Sequence, residues 1–344
     1  MLIRQLLVSC CLIAWTAMSA QAQQRDAPYV LAHTTTLGAP ERWDYVLFDP
    51  AGHRAFVAHG DRVDVVDAGS GRITGHVGPL EGAHGTALAP ALHRGFADSG
   101  LSHSLTVFDL DSLKTIARLP AGDDADAVAY DGFSRRVFVM NGDSGTISVI
   151  DAASLKPVTT LAIGSKLEFA ASDGRGALFV NLAEAGEVAR IDTRTAAVTA
   201  RWPVPGCVSP HGMAYDDITR RIFTSCVNGR LEVLNAADGH VVTTLPIGRG
   251  SDAVAIDAKQ RLVFSANSSG TLSVIAIRGA GKFDVLTSLR TPLGARTMAV
   301  DPASGRIYLA SATTDGRMAA AALGGAQHLS FAPGSLRLLM FDRK

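Results

Sequence analysis

One four-strand pattern recurs along this chain and restricts the folds open to it. The clearest copy, residues 126–161, reads DAVAYDGFSRRVFVMNGDSGTISVIDAASLKPVTTL. Its four short segments are rich in β-branched or aromatic residues and are separated by Gly, Ser, Asp or Asn, which favour turns. The segments are too closely spaced for helices, so each copy predicts a small antiparallel sheet.

The pattern occurs seven times, at steps of 40 to 44 residues between the aromatic residues of the second segments. Four strands in about 40–45 residues are typical of propeller blades, because one twisted sheet cannot bury both faces until neighbouring sheets pack on it in a ring. The seven aligned aromatic residues are Phe56, Phe96, Phe138, Phe179, Phe223, Phe264 and Tyr308.

The two ends of the chain supply complementary parts of one blade. Residues 29–38 look like a fourth strand without the first three, whereas residues 296–311 and 335–342 supply the first three without a fourth. Pairing the ends would close the ring and remove open sheet edges. The sequence therefore predicts an all-β fold. This is a seven-bladed β-propeller of four-stranded antiparallel blades, spanning residues 29–343 as a single domain and closed by the N-terminal strand.

Residues 1–22 have the features of a secretory signal peptide. Arg4 precedes an apolar run from Leu6 to Met18, and small residues follow at the expected cleavage site. The run is shorter than the roughly 20 apolar residues that a membrane span needs. A membrane anchor and lipidation at Cys10 are the alternatives. We expect cleavage of this segment and a periplasmic or secreted protein.

The charge of the chain is balanced, with 32 Lys and Arg against 32 Asp and Glu. A basic surplus would indicate a nucleic acid or an anionic membrane as partner, and this chain has none. The balance argues against a nucleic-acid partner. We also expect a monomer without a membrane span, whose partner is a small molecule or a protein at the channel mouth.

The first residue of each copy is predicted to surround one mouth of the central channel, where the inner strands begin. All seven are polar or ionisable. Solvated strand ends give the same pattern, but convergent ionisable groups in the largest concavity are also the default ligand site. These candidate ligand-binding residues are Asp44, His84, Asp126, Glu168, His211, Asp252 and Arg296.

Histidines concentrate in the first two copies. His59, His84 and His103 are expected on the mouth face, with Asp44 and Asp126 beside them. Imidazole and carboxylate groups bind divalent transition metals or act as acid and base. The three histidines are therefore a candidate metal site, although the chain has no local metal motif. Three others are expected in turns away from the mouth: His53, His93 and His240.

Two cysteines follow the signal segment. Cys207 lies in a loop that leads to the mouth, and Cys226 ends the second strand of the same blade. In an oxidising compartment such a pair favours a disulfide. The alternative is a metal cluster of the two cysteines with His211.

Residues 312–334 replace a short loop of the other blades with an insertion rich in Ala and Gly. Long insertions in compact repeats are usually either functional or disordered. A partial lid over the mouth and a tolerated disordered segment are both open interpretations.

The segments FVMNGDSGTISVID and FSANSSGTLSVIA resemble the repeat of the YVTN-type, YncE-like seven-bladed propellers. These are secreted bacterial proteins related to the propellers of quinoprotein and cytochrome d1 enzymes. The resemblance covers residues 29–343 and implies the fold and export. Relatives bind varied ligands, single-stranded DNA in one case, so the resemblance does not fix a function, and the neutral charge here argues against nucleic acid.

Two functions from different classes fit the sequence. The first is a non-catalytic scaffold that binds a ligand or a protein at the channel mouth. The second is a metal-assisted enzyme of the lyase or lactonase type, with His84 or His211 as ligand or base. The chain lacks a GxSxG nucleophile motif, a nucleotide-binding loop and a CxxCH haem motif. A divalent transition metal is therefore the one cofactor that the sequence suggests.

Overall fold

The structure, a computed structural model, describes residues 28–319 and 328–344. Within these ranges the chain forms seven four-stranded sheets and one two-stranded sheet, all antiparallel. The seven larger sheets are the blades of a propeller, which confirms the predicted all-β fold. The predicted signal segment lies outside the described residues. Among the described residues, no helix is long or apolar enough to cross a bilayer.

Strand β1 (Tyr29–Gly38) belongs to the last blade, and each of blades 1 to 6 is built from four consecutive strands. Blade 1 contains β2 (Val46–Asp49), β3 (Arg54–His59), β4 (Arg62–Asp67) and β5 (Ile73–Val77). Blade 2 contains β6 (Thr86–Ala89), a short 3-10 turn (Pro90–Leu92), β7 (Arg94–Ser99), β8 (Ser104–Asp109) and β9 (Thr115–Pro120). Blade 3 contains β10 (Ala125–Asp131), β11 (Arg136–Asn141), β12 (Thr146–Asp151) and β13 (Pro157–Ala162).

The next three blades repeat this order, with the first strand innermost and the fourth outermost. Blade 4 contains β14 (Leu167–Ser172), β15 (Ala177–Leu182), β16 (Glu187–Asp192) and β17 (Ala197–Pro203). Blade 5 contains β18 (Pro210–Asp216), β19 (Arg221–Cys226), β20 (Arg230–Asn235) and β21 (Val241–Pro246). Blade 6 contains β22 (Ser251–Asp257), β23 (Leu262–Asn267), β24 (Thr271–Gly279) and β25 (Lys282–Arg290).

Blade 7 combines both ends of the described chain, in the order β26 (Met298–Val300), β27 (Ile307–Ser311), β30 (Leu336–Arg343) and β1. Between β27 and β30 the insertion contributes a hairpin of β28 (Thr314–Ala319) and β29 (His328–Phe331). Strand β1 pairs with β30 along its length, from Tyr29 opposite Arg343 to Gly38 opposite Leu336. The predicted closure of the ring by the N-terminal strand is therefore confirmed.

The hydrophobic core is divided into seven clusters, one between each pair of neighbouring blades. The cluster that contains Leu37, Trp43 and Tyr308 joins blade 7 to blade 1 and so completes the circle. The seven aligned aromatic residues are each at most 1 % exposed. Burying an aromatic side chain of this size contributes roughly 2–3 kcal/mol, so the repeated aromatic residue stabilises every blade interface.

Arginines at the start of the second strands, or immediately before them, connect neighbouring blades on the face away from the mouth. The guanidinium of Arg94 donates to the carbonyl of Ala152 in the next blade at 2.7 Å. Arg306 of blade 7 donates in the same way to Ala68 of blade 1 at 2.7 Å. These charged hydrogen bonds fix the rotation of one blade against the next.

Candidate functional site: the channel mouth

The local backbone explains why the predicted mouth residues face the channel. In four blades the pairing of the first two strands shifts by a β-bulge near the mouth. A bulge leaves a residue unpaired and redirects its side chain, and bulges are frequent beside functional sites. The residues at these bulges are Asp126, Glu168, His211 and Asp252.

The first half of the mouth is a group formed by Asp44, His84 and Asp126. The Nδ1 atom of His84 lies 2.7 Å from Asp44 Oδ2 and 3.0 Å from Asp126 Oδ1. The His84 side chain is 13 % exposed, and its buried Nε2 atom has no hydrogen-bond partner among the described residues and lies 3.9 Å from Asp124 Oδ1. One imidazole therefore serves two carboxylates through the same nitrogen.

The electrostatics of this group follow from its burial and its charges. Burial by itself lowers the pKa of His84, but the hydrogen bonds to Asp126 and Asp44 outweigh burial and raise the pKa to about 11. Burial raises the pKa of Asp44 to about 6, against the opposing hydrogen bond from His84. At neutral pH His84 is therefore a cation held between carboxylates.

The second half of the mouth is a group formed by Glu168, His211 and Asp252. The Nε2 atom of His211 lies 3.5 Å from Glu168 Oε1. Glu168 is 6 % exposed and accepts no hydrogen bond from the described residues. Burial, followed by the neighbouring Asp126 and Asp252 carboxylates, raises the pKa of Glu168 well above its usual value. The three side chains of this group therefore form fewer hydrogen bonds with one another than those of the first group.

Arg296 completes the mouth beside Asp252. Its Nε atom donates to Asp252 Oδ2 at 2.7 Å, and its guanidinium lies 5.3 Å from the ring centre of Trp43. Burial alone would lower the pKa of Arg296, but the Asp252 and Asp44 carboxylates keep it above its usual value. The arginine remains charged and orients one Asp252 oxygen.

Close packing between blades positions His211. A Cβ atom on Gly212 would lie 2.8 Å from the backbone of Ala253 in the next blade, so only glycine allows this approach. The side chain of Asn181 in the preceding blade donates to the His211 carbonyl at 2.6 Å. The imidazole is fixed in turn, because its Nδ1 lies 2.9 Å from the Ser209 carbonyl oxygen.

The cysteines lie on the same blade as His211. Cys207 and Cys226 form a disulfide, with Cα atoms 5.3 Å apart. The bond attaches the loop that contains Ser209 to the end of β19. The metal cluster of these cysteines with His211 is excluded, because both sulfur atoms are in the disulfide.

Three ionisable side chains at the mouth do not follow from the repeat frame. Asp98 is fully buried, and its Oδ1 accepts the backbone N–H groups of His84 and Gly85 at 2.9 and 2.8 Å. Its Oδ2 has no partner among the described residues, and burial raises its pKa to about 7. A sequence signal exists, since Asp98 interrupts the apolar strand GFADS. The other two are Asp124 and Lys166.

An aromatic contact closes the channel below the charged residues. Tyr45 of blade 1 and Phe169 of blade 4 immediately follow two mouth residues, and their ring centres lie 4.8 Å apart. Burial and the four mouth carboxylates raise the pKa of Tyr45 well above its usual value. The mouth therefore consists of a layer of charged side chains above an aromatic pair.

The structure does not assemble the predicted site of three histidines. His59 is fully buried, with Nδ1 2.6 Å from Asp64 Oδ2 and Nε2 2.6 Å from the Pro40 carbonyl oxygen. Its side chain follows the alternation of β3 into the blade rather than towards the channel. His103 is 52 % exposed and lies 3.7 Å from Asp123. His84 instead joins two carboxylates, so the prediction of the trio was wrong.

The three histidines that were expected in turns lie away from the channel mouth. His93 and His240 form exposed pairs with Asp111 and Asp238, at 3.0 and 2.7 Å. His53 occupies a left-handed turn with φ of 49°. All three lie in turns, as the repeat pattern predicts.

The described part of the insertion is ordered by contacts beside the mouth. The ring of Phe331 lies 4.8 Å from that of Trp43, and the Ser330 hydroxyl donates to Asp315 at 2.8 Å. The N–H of Gly334 donates to Glu41. The base of the hairpin therefore flanks the residue that precedes Asp44.

A cavity of about 910 Å³ lies elsewhere, between the outer strands β25 and β1. Its lining is largely apolar and hydroxyl-bearing, with basic groups such as Arg290 and Arg337. It contains none of the convergent carboxylates of the mouth, which makes the mouth the stronger candidate on chemical grounds.

Comparisons with known proteins establish the architecture. No protein-family model and no curated protein matches the chain. Among solved structures, hydrazine synthase of Kuenenia stuttgartiensis is 16 % identical with a TM-score of 0.68, covering 77 % of this chain and 91 % of that chain. A structure of U3-55K is 13 % identical with a TM-score of 0.71, covering 91 % and 98 %. The WD40 repeats of RRP9 are 13 % identical with a TM-score of 0.72, covering 92 % and 98 %.

At these identities the likeness shows the fold alone. It places the chain among seven-bladed propellers and identifies no family. Membership of the YncE-like group therefore stays a prediction.

Proposed function

We propose that the chain is an exported, YncE-like β-propeller that acts as a binding scaffold and takes a positively charged ligand at its channel mouth. The carrying observation is the convergence of the Asp44, Asp126, Glu168 and Asp252 carboxylates, whose compensation by protein cations is incomplete. Convergent polar groups in a concave site are typical of ligand recognition.

The charged side chains of the mouth favour a positively charged ligand. His84 compensates Asp44 and Asp126, and Arg296 compensates Asp252. Lys166 acts on Glu168, but burial and the neighbouring carboxylates outweigh it, so the ionised form of the nearly buried Glu168 is costly. A bound cation would relieve this cost, which supplies the driving force for binding.

The ligand can be a small organic cation or a basic side chain of a partner protein. The hairpin base beside Trp43 gives the mouth an additional wall on one side. Both ligand types share the same chemistry, and the experiment below separates them.

Two observations support export. The Cys207–Cys226 disulfide is typical of oxidising compartments. The N-terminal segment 1–22 has the composition of a cleaved signal. We therefore propose a periplasmic or secreted location.

Calorimetric titration of the purified full chain tests this function. Agmatine serves as the small organic cation, and the peptide Gly-Lys-Gly represents a protein side chain, with its Nζ-acetylated form as the neutral control. We expect at least one cationic probe to bind and the neutral peptide not to bind. The variants Asp126→Asn and Glu168→Gln should weaken binding at least tenfold, because each removes a mouth carboxylate, whereas His93→Ala should not. Equal binding by the neutral peptide, unchanged binding by both mouth variants, or binding of neither cation would contradict the proposal.

A metal-assisted enzyme of the lyase or lactonase type is the second candidate. The observation that favours it is the presence of two groups of three side chains whose ligand atoms lie within 4.8 Å of one another. Its test is chelator-sensitive opening of a simple lactone, followed by the acid released. Turnover that persists in His211→Ala, or none in the wild type, would contradict this candidate.

A further inference from the structure

The two halves of the mouth contain the same kinds of side chain but differ in what those side chains already bind. In each half, one histidine and two carboxylates bring their ligand atoms within 4.8 Å. In the first, His84 Nδ1 lies 2.7 and 3.0 Å from the two carboxylates, so one N–H group already contacts both of them. The second half has no such internal hydrogen bond among its three members.

The hydrogen bonds of His211 identify which of its nitrogens is free. Nδ1 lies 2.9 Å from the Ser209 carbonyl oxygen, which can only accept, so Nδ1 carries the proton. In the neutral ring, Nε2 then presents a lone pair towards Glu168 Oε1 at 3.5 Å. A charged hydrogen bond between these atoms would be about 2.7–2.9 Å long. When the ring is neutral and Glu168 is ionised, two acceptors therefore face each other with space between them.

The separation suits two ligands on one ion. Two donor atoms at about 2.1 Å from a tetrahedral metal lie roughly 3.4 Å apart, close to the observed 3.5 Å. Histidines that bind metals commonly donate their other ring N–H to a backbone carbonyl, as His211 does to Ser209.

Glu168 provides the independent observation. It is 6 % exposed, it points at His211, and no described residue donates a hydrogen bond to its carboxylate. Buried carboxylates in proteins are normally hydrogen-bonded or bound to metals. A cation beside Glu168 would account for its burial.

Asp252 supplies the third ligand. Its Oδ2 accepts a hydrogen bond from Arg296 Nε at 2.7 Å, which leaves Oδ1 without a hydrogen bond from the described residues. Carboxylate ligands oriented by such a second contact are typical of built metal sites.

We infer that Glu168, His211 and Asp252 bind one divalent transition-metal ion in the channel mouth. One imidazole with two carboxylates suits Zn²⁺ or Mn²⁺ better than Ca²⁺ or Mg²⁺, which prefer oxygen ligands alone. Three protein ligands leave a position open towards the mouth. The inference rests on the proposed function in that both place a positive charge among the same mouth carboxylates.

Metal titration of the full chain, purified without a histidine tag and treated with chelator, tests the inference. Zn²⁺ and Mn²⁺ are titrated by calorimetry, and Co²⁺ is used to record the visible spectrum of the bound ion. We expect one ion per chain. His211→Ala and the isosteric Glu168→Gln should each weaken binding at least 100-fold and remove the Co²⁺ spectrum, because each removes a ligand. Far-UV circular dichroism verifies that both variants fold.

His103→Ala is the matched control, because it removes an exposed mouth-face histidine that lies outside the group. It should bind one ion with unchanged affinity. Loss of the ion in His84→Ala but not in His211→Ala would move the site to the first half of the mouth and overturn the inference. A chain that binds agmatine or the lysine peptide but no ion would refute the inference and leave the proposed function intact. A chain that binds an ion but neither organic probe would refute the proposed function and leave the inference intact.

Discussion

Carboxylates lie at both ends of the propeller, but their partners differ. In the turns away from the mouth, Asp109 accepts the backbone N–H of Ser112 at 2.8 Å and its hydroxyl at 2.7 Å, and these bonds lower the Asp109 pKa. At the mouth, burial raises the pKa of Asp98 and Glu168. Carboxylates stabilise one end and are costly at the other, because a turn carboxylate such as Asp109 is accessible to solvent, whereas those at the mouth are buried beside other carboxylates.

The largest contrast is expected from Asp216, in a turn away from the mouth. Its carboxylate accepts two bonds from Arg261 of the next blade, each 2.8 Å long, and the backbone N–H of Thr219 at 3.1 Å. Asp216→Ala should lower the free energy of unfolding by about 3 kcal/mol, since it leaves a partly buried arginine unpaired. Denaturant titration at pH 7 measures this loss.

The neighbouring Asp217 is the control for this prediction, because its side chain is 60 % exposed. Asp217→Ala should change the stability by about 0.5 kcal/mol or less. A similar small change in Asp216→Ala would mean that the carboxylates of this face do not hold the blades together.

At the mouth, replacing Asp98 should raise the free energy of unfolding rather than lower it. Because burial raises its pKa to about 7 in the folded state, above the usual 3.8, Asp98 contributes full stability only below about pH 4 and loses that contribution as the pH rises through 7. The nearest charged groups that act on it are His84 and Asp126. Asp98→Asn should remove this loss and gain on the order of 2 kcal/mol at pH 8 relative to pH 4.

Thermal unfolding of both chains across this pH range checks the Asp98 prediction. The isosteric amide keeps the acceptor for the N–H groups of His84 and Gly85. If the melting temperatures of the variant and the wild type changed in parallel with pH, burial would not destabilise the ionised Asp98 carboxylate.

A smaller effect is expected at His84. His84→Ala leaves two buried carboxylates without their cation and should cost about 1.5 kcal/mol at pH 7. With a folded pKa of about 11, the contribution of His84 is full below about pH 6.5 and disappears as the pH rises through 11, so the deficit of the variant should shrink there. Denaturant titrations at pH 7 and 10.5 measure it.

His93 provides the matched histidine at the opposite end, where it forms an exposed pair with Asp111 at 3.0 Å. His93→Ala should cost about 0.5 kcal/mol or less at either pH. Equal costs at the two histidines would erase the distinction between the ends of the propeller.

The smallest effect concerns the turn carboxylates. Bonds from the backbone N–H and the hydroxyl of Ser154 lower the pKa of Asp151, so its contribution to stability is present above about pH 4 and is lost on acidification. Asp151→Asn should therefore flatten the acid side of the stability curve, by less than about 0.5 kcal/mol. A steeper acid limb in the variant would reverse the assigned sign.

The fold was predictable because its determinants are periodic. The aromatic residues that recur from Phe56 to Tyr308 are the centres of the blade interfaces. The two unmatched strand sets at the termini likewise predicted the pairing of β1 with β30. Such patterns depend on local sequence and on symmetry, which a single sequence records.

The site was predictable only in part, since its details depend on distances between blades. The repeat frame identified the residues of the mouth, but the division into two groups around His84 and His211 depends on bulges and rotamers. His59 was misplaced because its side chain turns into the blade, where Asp64 and Pro40 bind it. The contact between Tyr45 and Phe169 joins blades that are far apart in sequence, and no spacing in the sequence predicts it.

The pairing of β1 with β30 also sets an order of events for the growing chain. Strand β1 is made early, and its partner β30 is made after the strands of blades 1 to 6, so blade 7 cannot exist until β30 has been synthesised. Six blades can form from nearby residues, whereas this contact carries the largest loop-closure entropy in the chain. A chain synthesised only as far as blade 6 is therefore an open arc with two free strand edges, and its circular charged mouth exists only after β30 pairs with β1.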